Sequence, residues 1–247
     1  MRRIRIVGLC ILAACVMSAV LASAAWAAPE YSACRKVKKT GKVKETGKYS
    51  NSTCTTEAPE GKGDYEKGSA VGVTYSSKTG EALFSQPDLG GKYLCEKSKD
   101  KGKITSATAG EDQVTFEKCE TEGKKCSSAG ETGKKAGTIV TAKLETKLVE
   151  KEGKAATEFV SKSGVDGYQA EWDCEGLLER RHGFIIGVIT SPAAGEYSLK
   201  TDARFSGEEN LLVEVSIDGG KEWLGPFPEE SRTESVDTNK DALAVIK

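Results

Sequence analysis

Short runs of strand-forming residues, separated by clusters of Gly, Asp, Asn, Ser and Lys, recur along most of the chain. Many short strands joined by frequent turn signals are typical of all-β sandwiches and barrels. The runs lie at 49–55, 70–76, 81–85, 92–97, 103–108, 113–119, 137–149, 155–161, 168–175, 183–191, 196–205, 211–217 and 243–246. The sequence therefore predicts an all-β fold, an antiparallel β-sandwich or barrel-like domain of many short strands.

The run at 211–217 has the clearest strand pattern. Every second residue is apolar, so Leu211, Val213, Val215 and Ile217 are predicted to share one face of a strand. Asp218-Gly219-Gly220 follows, which predicts a hairpin turn toward Trp223. The polar stretches 120–136 and 225–235 are predicted to be loops.

A central stretch, 168–192, contains the longest apolar run outside the N-terminus. Polar and apolar residues alternate in 171–175, so Trp172 and Cys174 are predicted to face the core together. The run 184–189 is apolar on both faces, which favours a strand buried on both sides. The charged residues 179–182, between these segments, are predicted to lie at a turn or at the rim of a sheet.

Residues 1–27 have the pattern of a secretory signal peptide, with early arginines, a long apolar stretch and Ala25-Trp26-Ala27. Cleavage after Ala27 would leave a single β-rich secreted domain at 28–247. An alternative is a lipid anchor at Cys15, because the residues before it resemble a lipobox. The mature chain has no second apolar segment of membrane-spanning length, so no membrane span is expected in it.

Six cysteines lie after the signal sequence, and an even number in a secreted chain predicts a disulfide framework. A pair around the lysine-rich segment, a local pair and a long-range pair are predicted: Cys34–Cys54, Cys119–Cys126 and Cys95–Cys174. The long-range pair would join the first half of the chain to the central stretch. Zinc is disfavoured, because the cysteines and the single histidine lack zinc-ligand spacing. No metal and no cofactor are expected.

The segment 35–48 is rich in lysine. The pattern is typical of a solvated hairpin, and the alternative is an anion-binding arm for a cell-envelope polymer. The residues of that possible anion site are Lys38, Lys39, Lys42 and Lys44. Nucleic acid is disfavoured as a partner, because no aromatic residue interrupts the lysines.

Catalytic motifs are weak. Catalysis by a nucleophile and a base would depend on His182, and the sequence has no GxSxG motif. Glu171, Asp173 and Glu175 share a strand face and could supply the carboxylate pair of a glycoside hydrolase, although a solvated strand face explains them as well. The sequence therefore favours a non-catalytic extracellular binding or structural module of the cell surface. A secreted carbohydrate-acting hydrolase is the alternative.

Several landmarks along the mature chain occur together in one family. They are Ala28-Pro29-Glu30-Tyr31 with Cys34, Gly47-Lys48-Tyr49 with Cys54-Thr55, Cys119 with Lys125-Cys126-Ser127-Ser128, Cys174-Glu175-Gly176 before Arg181, Gly183 and Ile186-Gly187, Ile217-Asp218-Gly219-Gly220, and Thr238-Asn239. In these the chain resembles an uncharacterised family of secreted, cysteine-containing proteins from soil actinobacteria. The resemblance implies secretion from a bacterium and an envelope setting. It implies no activity and no catalytic residue.

Overall fold

A computed structural model describes residues 28–40, 43–44, 46–86, 88, 90–129, 135–164, 167–218 and 220–246. At 39–40, 43–44, 206–211 and 227–232 it describes the backbone alone. The predicted signal sequence, including Cys15, lies outside the described residues, as does Lys42. No helix in the described part of the chain is long and apolar enough to cross a membrane.

The described residues form seventeen β-strands and no helix, so the predicted all-β class is confirmed. The strands are β1 (Glu30–Lys36), β2 (Lys39–Thr40), β3 (Val43–Lys44), β4 (Tyr65–Ser69), β5 (Thr74–Thr79), β6 (Ala82–Gln86), β7 (Gly91–Ile104), β8 (Ala109–Thr121), β9 (Lys124–Lys125), β10 (Ser127–Ser128), β11 (Thr138–Val140), β12 (Leu144–Lys151), β13 (Lys154–Ser161), β14 (Ala170–Asp173), β15 (Leu178–Ser191), β16 (Ser198–Ser216) and β17 (Leu224–Ile246).

Eight of these strands close into an antiparallel barrel. Their order is β15, β13, β12, β8, β7, β5, β17 and β16, and β16 pairs back with β15. Strand β6 continues β5 after a short break, and it also lies between β7 and β17. Of the two predicted architectures the chain therefore adopts the barrel. Closure leaves these eight strands with neighbours on both sides and so removes exposed sheet edges.

Several strands are longer than the sequence indicates. The predicted run 92–97 and the first two residues of the run 103–108 belong to one strand, β7, and the predicted loop at 225–235 lies within β17. Backbone pairing to a neighbour on each side holds these polar segments extended.

The central stretch forms β14 and β15. Trp172 and Cys174 are buried, as predicted. The prediction of a turn or rim at 179–182 is wrong, because these residues lie within β15. Period-two alternation turns Glu179 and Arg181 inward, and both are buried. The apolar run 184–189 continues the same strand, with one face inside the barrel and the other only partly covered.

The described residues contain three disulfides. The predicted Cys34–Cys54 bond is confirmed, with the Cα atoms 5.8 Å apart. The predicted Cys95–Cys174 bond is wrong, because Cys95 is bonded to Cys119. Those two residues stand directly opposite each other in the register of β7 and β8, with the Cα atoms 4.0 Å apart. Strand register therefore selects the partner of Cys95.

The predicted Cys119–Cys126 bond is wrong as well. The two residues are adjacent in space, since the N–H of Cys126 donates to the carbonyl of Cys119 at 2.9 Å. The sulfur of Cys126, however, is bonded to Cys174, and the Cα atoms are 4.1 Å apart. Ser127 pairs with Asp173 in the next rung, so this bond also joins residues of adjacent strands. The predicted long-range link to the central stretch exists, but it comes from Cys126.

Two apolar clusters lie at opposite ends of β7. One surrounds Trp172 and the two strand-crossing disulfides. The other contains Ile104 and is completed by β1, which pairs with β17 and β4. Its buried members are Ala33, Ala70, Val73, Ile104 and Leu243. The barrel interior between these clusters is less densely filled.

Candidate site in the barrel lumen

The interior of the barrel contains a cavity, called the lumen below. It has a volume of about 120 Å³, and part of it is continuous with solvent. Inward-facing residues of all eight barrel strands line it. An eight-stranded barrel is just wide enough either to be filled by its own side chains or to hold one small ligand. In this chain the inward-facing side chains leave part of the interior unfilled.

One part of the lumen wall is apolar. Its side chains come from β6, β8, β12, β13, β15 and β16, and they are Phe84, Val114, Phe116, Leu144, Phe159, Ile185, Ile189 and Phe205. The rings pack in two pairs: the Phe84 and Phe116 centroids are 5.1 Å apart, and those of Phe159 and Phe205 are 5.5 Å apart. This wall offers an apolar ligand a large contact surface with fixed ring positions.

The rest of the wall carries three aspartates, Asp100, Asp112 and Asp237, which we call the carboxylate cluster. Strand register brings them together. Asp100 is paired with Ser77 across β7 and β5, and Ser77 is paired with Asp237 across β5 and β17. In the next inward-facing row, Asp112 is paired with Gly102, and Gly102 with Tyr75. Adjacent strands are about 4.8 Å apart, so the three carboxyl groups occupy one small region of the wall.

Hydroxyl groups are the side-chain donors to the carboxylate cluster. The hydroxyl of Tyr75 donates to Oδ2 of Asp112 at 3.1 Å. The backbone N–H of Ser77 donates to Oδ1 of Asp100 at 2.9 Å, and its hydroxyl donates to Oδ2. The hydroxyl of Ser235 donates to Oδ1 of Asp237 at 3.0 Å. Among the described residues no lysine or arginine forms an ion pair with any of the three carboxylates.

Gly102 makes the bond between Tyr75 and Asp112 possible. A Cβ atom at Gly102 would lie 2.0 Å from Cζ of Tyr75, so the tyrosine ring crosses directly over the glycine. Strand β7 has no side chain at this point, and the ring uses that space to reach β8. Position 102 therefore requires glycine, because the ring of Tyr75 lies too close for any Cβ atom.

Burial dominates the electrostatics of the cluster. It raises the pKa of Asp112 to about 8, with a further rise from the neighbouring Asp100 carboxylate. It also raises the pKa of Asp237 to about 7, again with a contribution from Asp100. The pKa of Asp100 itself is raised by burial, against the lowering effect of the bonds from Ser77. Asp112 and Asp237 therefore exchange protons near neutral pH.

Arg181 lines the lumen at the end of the apolar wall. Its guanidinium carbon lies 4.1 Å from the ring centroid of Phe84 and 5.3 Å from that of Trp172. Nearby Glu179 is fully buried and accepts hydrogen bonds from Nε2 of Gln86, at 2.8 Å, and from the hydroxyl of Tyr93. Glu179 and its two donors therefore form a buried polar group at the apolar end of the barrel.

None of the described residues that line the lumen is one of the four lysines predicted as a possible anion site. Strands β2 and β3 pair through Lys39 and Lys44, which agrees with a hairpin in this segment. Lys38 is exposed, and the side chains of the other three lie outside the described atoms. Anion binding by this segment stays a prediction.

The candidate carboxylates of the central stretch are turn and surface groups. None of the three lines either of the two described cavities. Oδ1 of Asp173 accepts from the N–H of Gly176 at 2.7 Å, and Oε1 of Glu175 accepts from the N–H of Lys125 at 3.3 Å. His182 packs its ring edge-on against Tyr168 on the outside of β15. The described residues contain no group of three or more metal-ligating side chains placed to hold an ion.

Sequence reasoning missed the carboxylate cluster. A signal was present in β7, where lysines at 97, 99, 101 and 103 alternate with Ser98, Asp100 and Gly102. Long charged side chains on one face imply that the small and acidic residues occupy the other, which faces the core. No comparable pattern points to Asp112 or Asp237.

Lysines also line a shallower depression on the outer surface of the same wall. They are Lys101, Lys103, Lys143 and Lys240, and each is next in sequence to a residue that faces inward. Asp112 and Asn239 line both this depression and the lumen. These two residues therefore border both spaces.

Comparison with known protein families, with curated proteins and with solved structures finds no match to this chain.

Proposed function

We propose that this protein is a non-catalytic extracellular binding protein that holds a small, largely apolar molecule in its lumen. The carrying observation is a closed eight-stranded barrel whose interior is a cavity with an aromatic and aliphatic wall. Small-molecule sites are concave and mostly apolar, with a few polar groups that orient the ligand. The lumen combines such a wall with one localised polar cluster.

The three disulfides support an extracellular setting, because such bonds persist in oxidising compartments. Together with the signal-like residues 1–27 they form the basis for proposing secretion. Sequencing the N-terminus of the exported protein tests this, and we expect it to begin at Ala28. A first residue of lipid-modified Cys15 would instead show a membrane-tethered protein.

Binding in the lumen can be tested by filling it. Ala203 lines the lumen on β16, and Ala203→Trp would place an indole ring inside the barrel. Lys200→Trp, at an exposed position of the same strand, is the matched control. The probe is N-phenyl-1-naphthylamine, a neutral fluorophore that brightens in apolar surroundings.

We expect saturable fluorescence with the wild type and with Lys200→Trp, and a loss of tenfold or more in affinity with Ala203→Trp. That loss corresponds to about 1.4 kcal/mol. Near-ultraviolet circular dichroism and thermal unfolding establish that each variant is folded. Equal binding by a folded Ala203→Trp variant would refute the proposed site.

A further inference from the structure

The carboxylate cluster has unused hydrogen-bonding capacity. Oδ1 of Asp112 has no hydrogen-bond partner among the described residues, although the side chain is 4% exposed. The hydroxyl of Thr146, 1% exposed, also has no partner in the described part of the chain. Thr146 is paired with Gly110, two residues before Asp112 along β8, and it lies behind the residues that line the lumen. Buried polar atoms without partners are rare and costly, and they indicate a missing ligand or water.

The cluster also lacks a counter-charge. Arg181 is the one basic residue among the described residues that line the lumen, and its guanidinium lies over the rings at the apolar end. The lysines of the outer depression are next in sequence to inward-facing residues, so they project to the other side of the wall. The carboxylates of Asp100, Asp112 and Asp237 thus face an interior region where neighbouring side chains supply only hydroxyl donors.

We propose that the ligand of this lumen carries a cationic nitrogen, an alkylammonium group, which binds the carboxylate cluster while its apolar body lies against the aromatic wall. The inference rests on the proposed function and specifies the ligand class. An ammonium group brings both the missing N–H donors and the missing positive charge. An alcohol would bring a donor without the charge, and a carboxylate would bring the wrong charge.

Binding is coupled to proton release. Other ionisable groups near the cluster are Tyr75 and Tyr31, and Asp202 adds a negative charge near Asp237. Both tyrosines stay neutral, because burial raises the pKa of Tyr31 to about 12 and that of Tyr75 well above 10. An arriving ammonium therefore displaces protons from the aspartates. Affinity for the amine should rise between pH 6 and pH 8.5, where the alkylammonium itself keeps its charge.

The experiment compares three probes of equal chain length by isothermal titration calorimetry: octylamine, octan-1-ol and octanoate. We expect the wild type to bind octylamine about tenfold or more tightly than octanol at pH 8.5, and octanoate most weakly. Asp112→Asn should lower octylamine affinity about tenfold and leave octanol affinity within about twofold. Asp237→Asn is a second variant in case the first does not fold, and Glu60→Gln, at an exposed carboxylate, is the control.

Each outcome separates the two proposals. If octanol binds as tightly as octylamine in the lumen, or if both Asn variants leave octylamine affinity unchanged, the ligand is not cationic and the proposed function stands. If octylamine binds equally well to the lumen-filled Ala203→Trp variant, it binds elsewhere and the inference fails. If Ca²⁺ or Mg²⁺ displaces octylamine and binds more tightly, the cluster is an inorganic cation site. If no probe binds in the lumen, the proposed function fails as well.

Discussion

Asp112→Asn should make the protein more stable at alkaline pH, which is an unusual result for a buried polar substitution. The amide has the shape of the protonated carboxyl group and cannot ionise. Asp112 is buried, and its folded-state pKa is raised from 3.8 to about 8. Between these two values the folded state holds a proton that the unfolded state has released. The free energy of unfolding of the wild type therefore falls as pH rises from about 4 to about 8, and this fall ends above pH 8.

The size of the effect follows from the shift. About four pKa units at 1.36 kcal/mol each correspond to about 6 kcal/mol over the whole range. Between pH 5 and pH 9 the part due to Asp112 is about 4 kcal/mol. This is an upper limit, because water that enters the lumen would solvate the carboxylate. The titrations of Asp100 and Asp237 add to the same trend in both proteins.

Urea unfolding at pH 5, 7 and 9, with the disulfides intact, measures the difference. We expect the stability of Asp112→Asn relative to the wild type to rise by up to about 4 kcal/mol between pH 5 and pH 9. Glu60→Gln should follow the wild type at every pH. Parallel pH profiles for Asp112→Asn and the wild type would show that Asp112 ionises freely in the folded state. The electrostatic description of the lumen would then be wrong.

Three further expectations concern the wall and the ends of the barrel. Gly102→Ala should lower the free energy of unfolding by about 1–3 kcal/mol, because the new methyl group displaces the ring of Tyr75. In a Tyr75→Ala background this loss of stability should largely disappear, and a loss that persists would contradict the explanation. Trp172→Ala should lower the free energy of unfolding, measured by chemical denaturation, by about 3–5 kcal/mol, because Trp172 is 2% exposed. A loss below about 1 kcal/mol would show that the indole lies outside the core. Non-reducing peptide mapping should recover a peptide pair linked through Cys126 and Cys174, and any other partner for Cys174 would contradict the strand register. Replacing both cysteines by Ala should lower the free energy of unfolding by about 2–5 kcal/mol.

Local patterns in the sequence determine the class of this fold. Period-two alternation places Val213 and Val215 on one face of β16, and both are buried. The prediction for Ile217 is wrong, because β16 ends at Ser216 and Ile217 is exposed. The turn residues after 217 connect β16 to β17, as the hairpin signal predicts. Backbone pleating and turn chemistry involve only residues close in sequence, so they can be inferred without knowing which strands become neighbours.

The polarity of a residue predicts its position less well than strand alternation does, because the inside of this barrel is partly polar. The stretch 225–235 contains Pro, Glu, Ser and Arg, yet it lies within the longest strand. Glu179 and Arg181 are ionisable residues, yet they face the interior. Glu179 accepts hydrogen bonds from Gln86 and Tyr93, and Arg181 packs over aromatic rings. A charged residue is expected at the surface only when no partner is available inside.

Only the tertiary structure decided the disulfide pairs and the candidate site. Cys95 has Cys119 as its partner because β7 and β8 align these two residues, and no sequence spacing records that alignment. Asp100 and Asp237 come from distant parts of the chain, and they share a row because β5 lies between β7 and β17. Barrel closure and strand register arise from the sum of many long-range contacts, so neither can be inferred from a local pattern of residues.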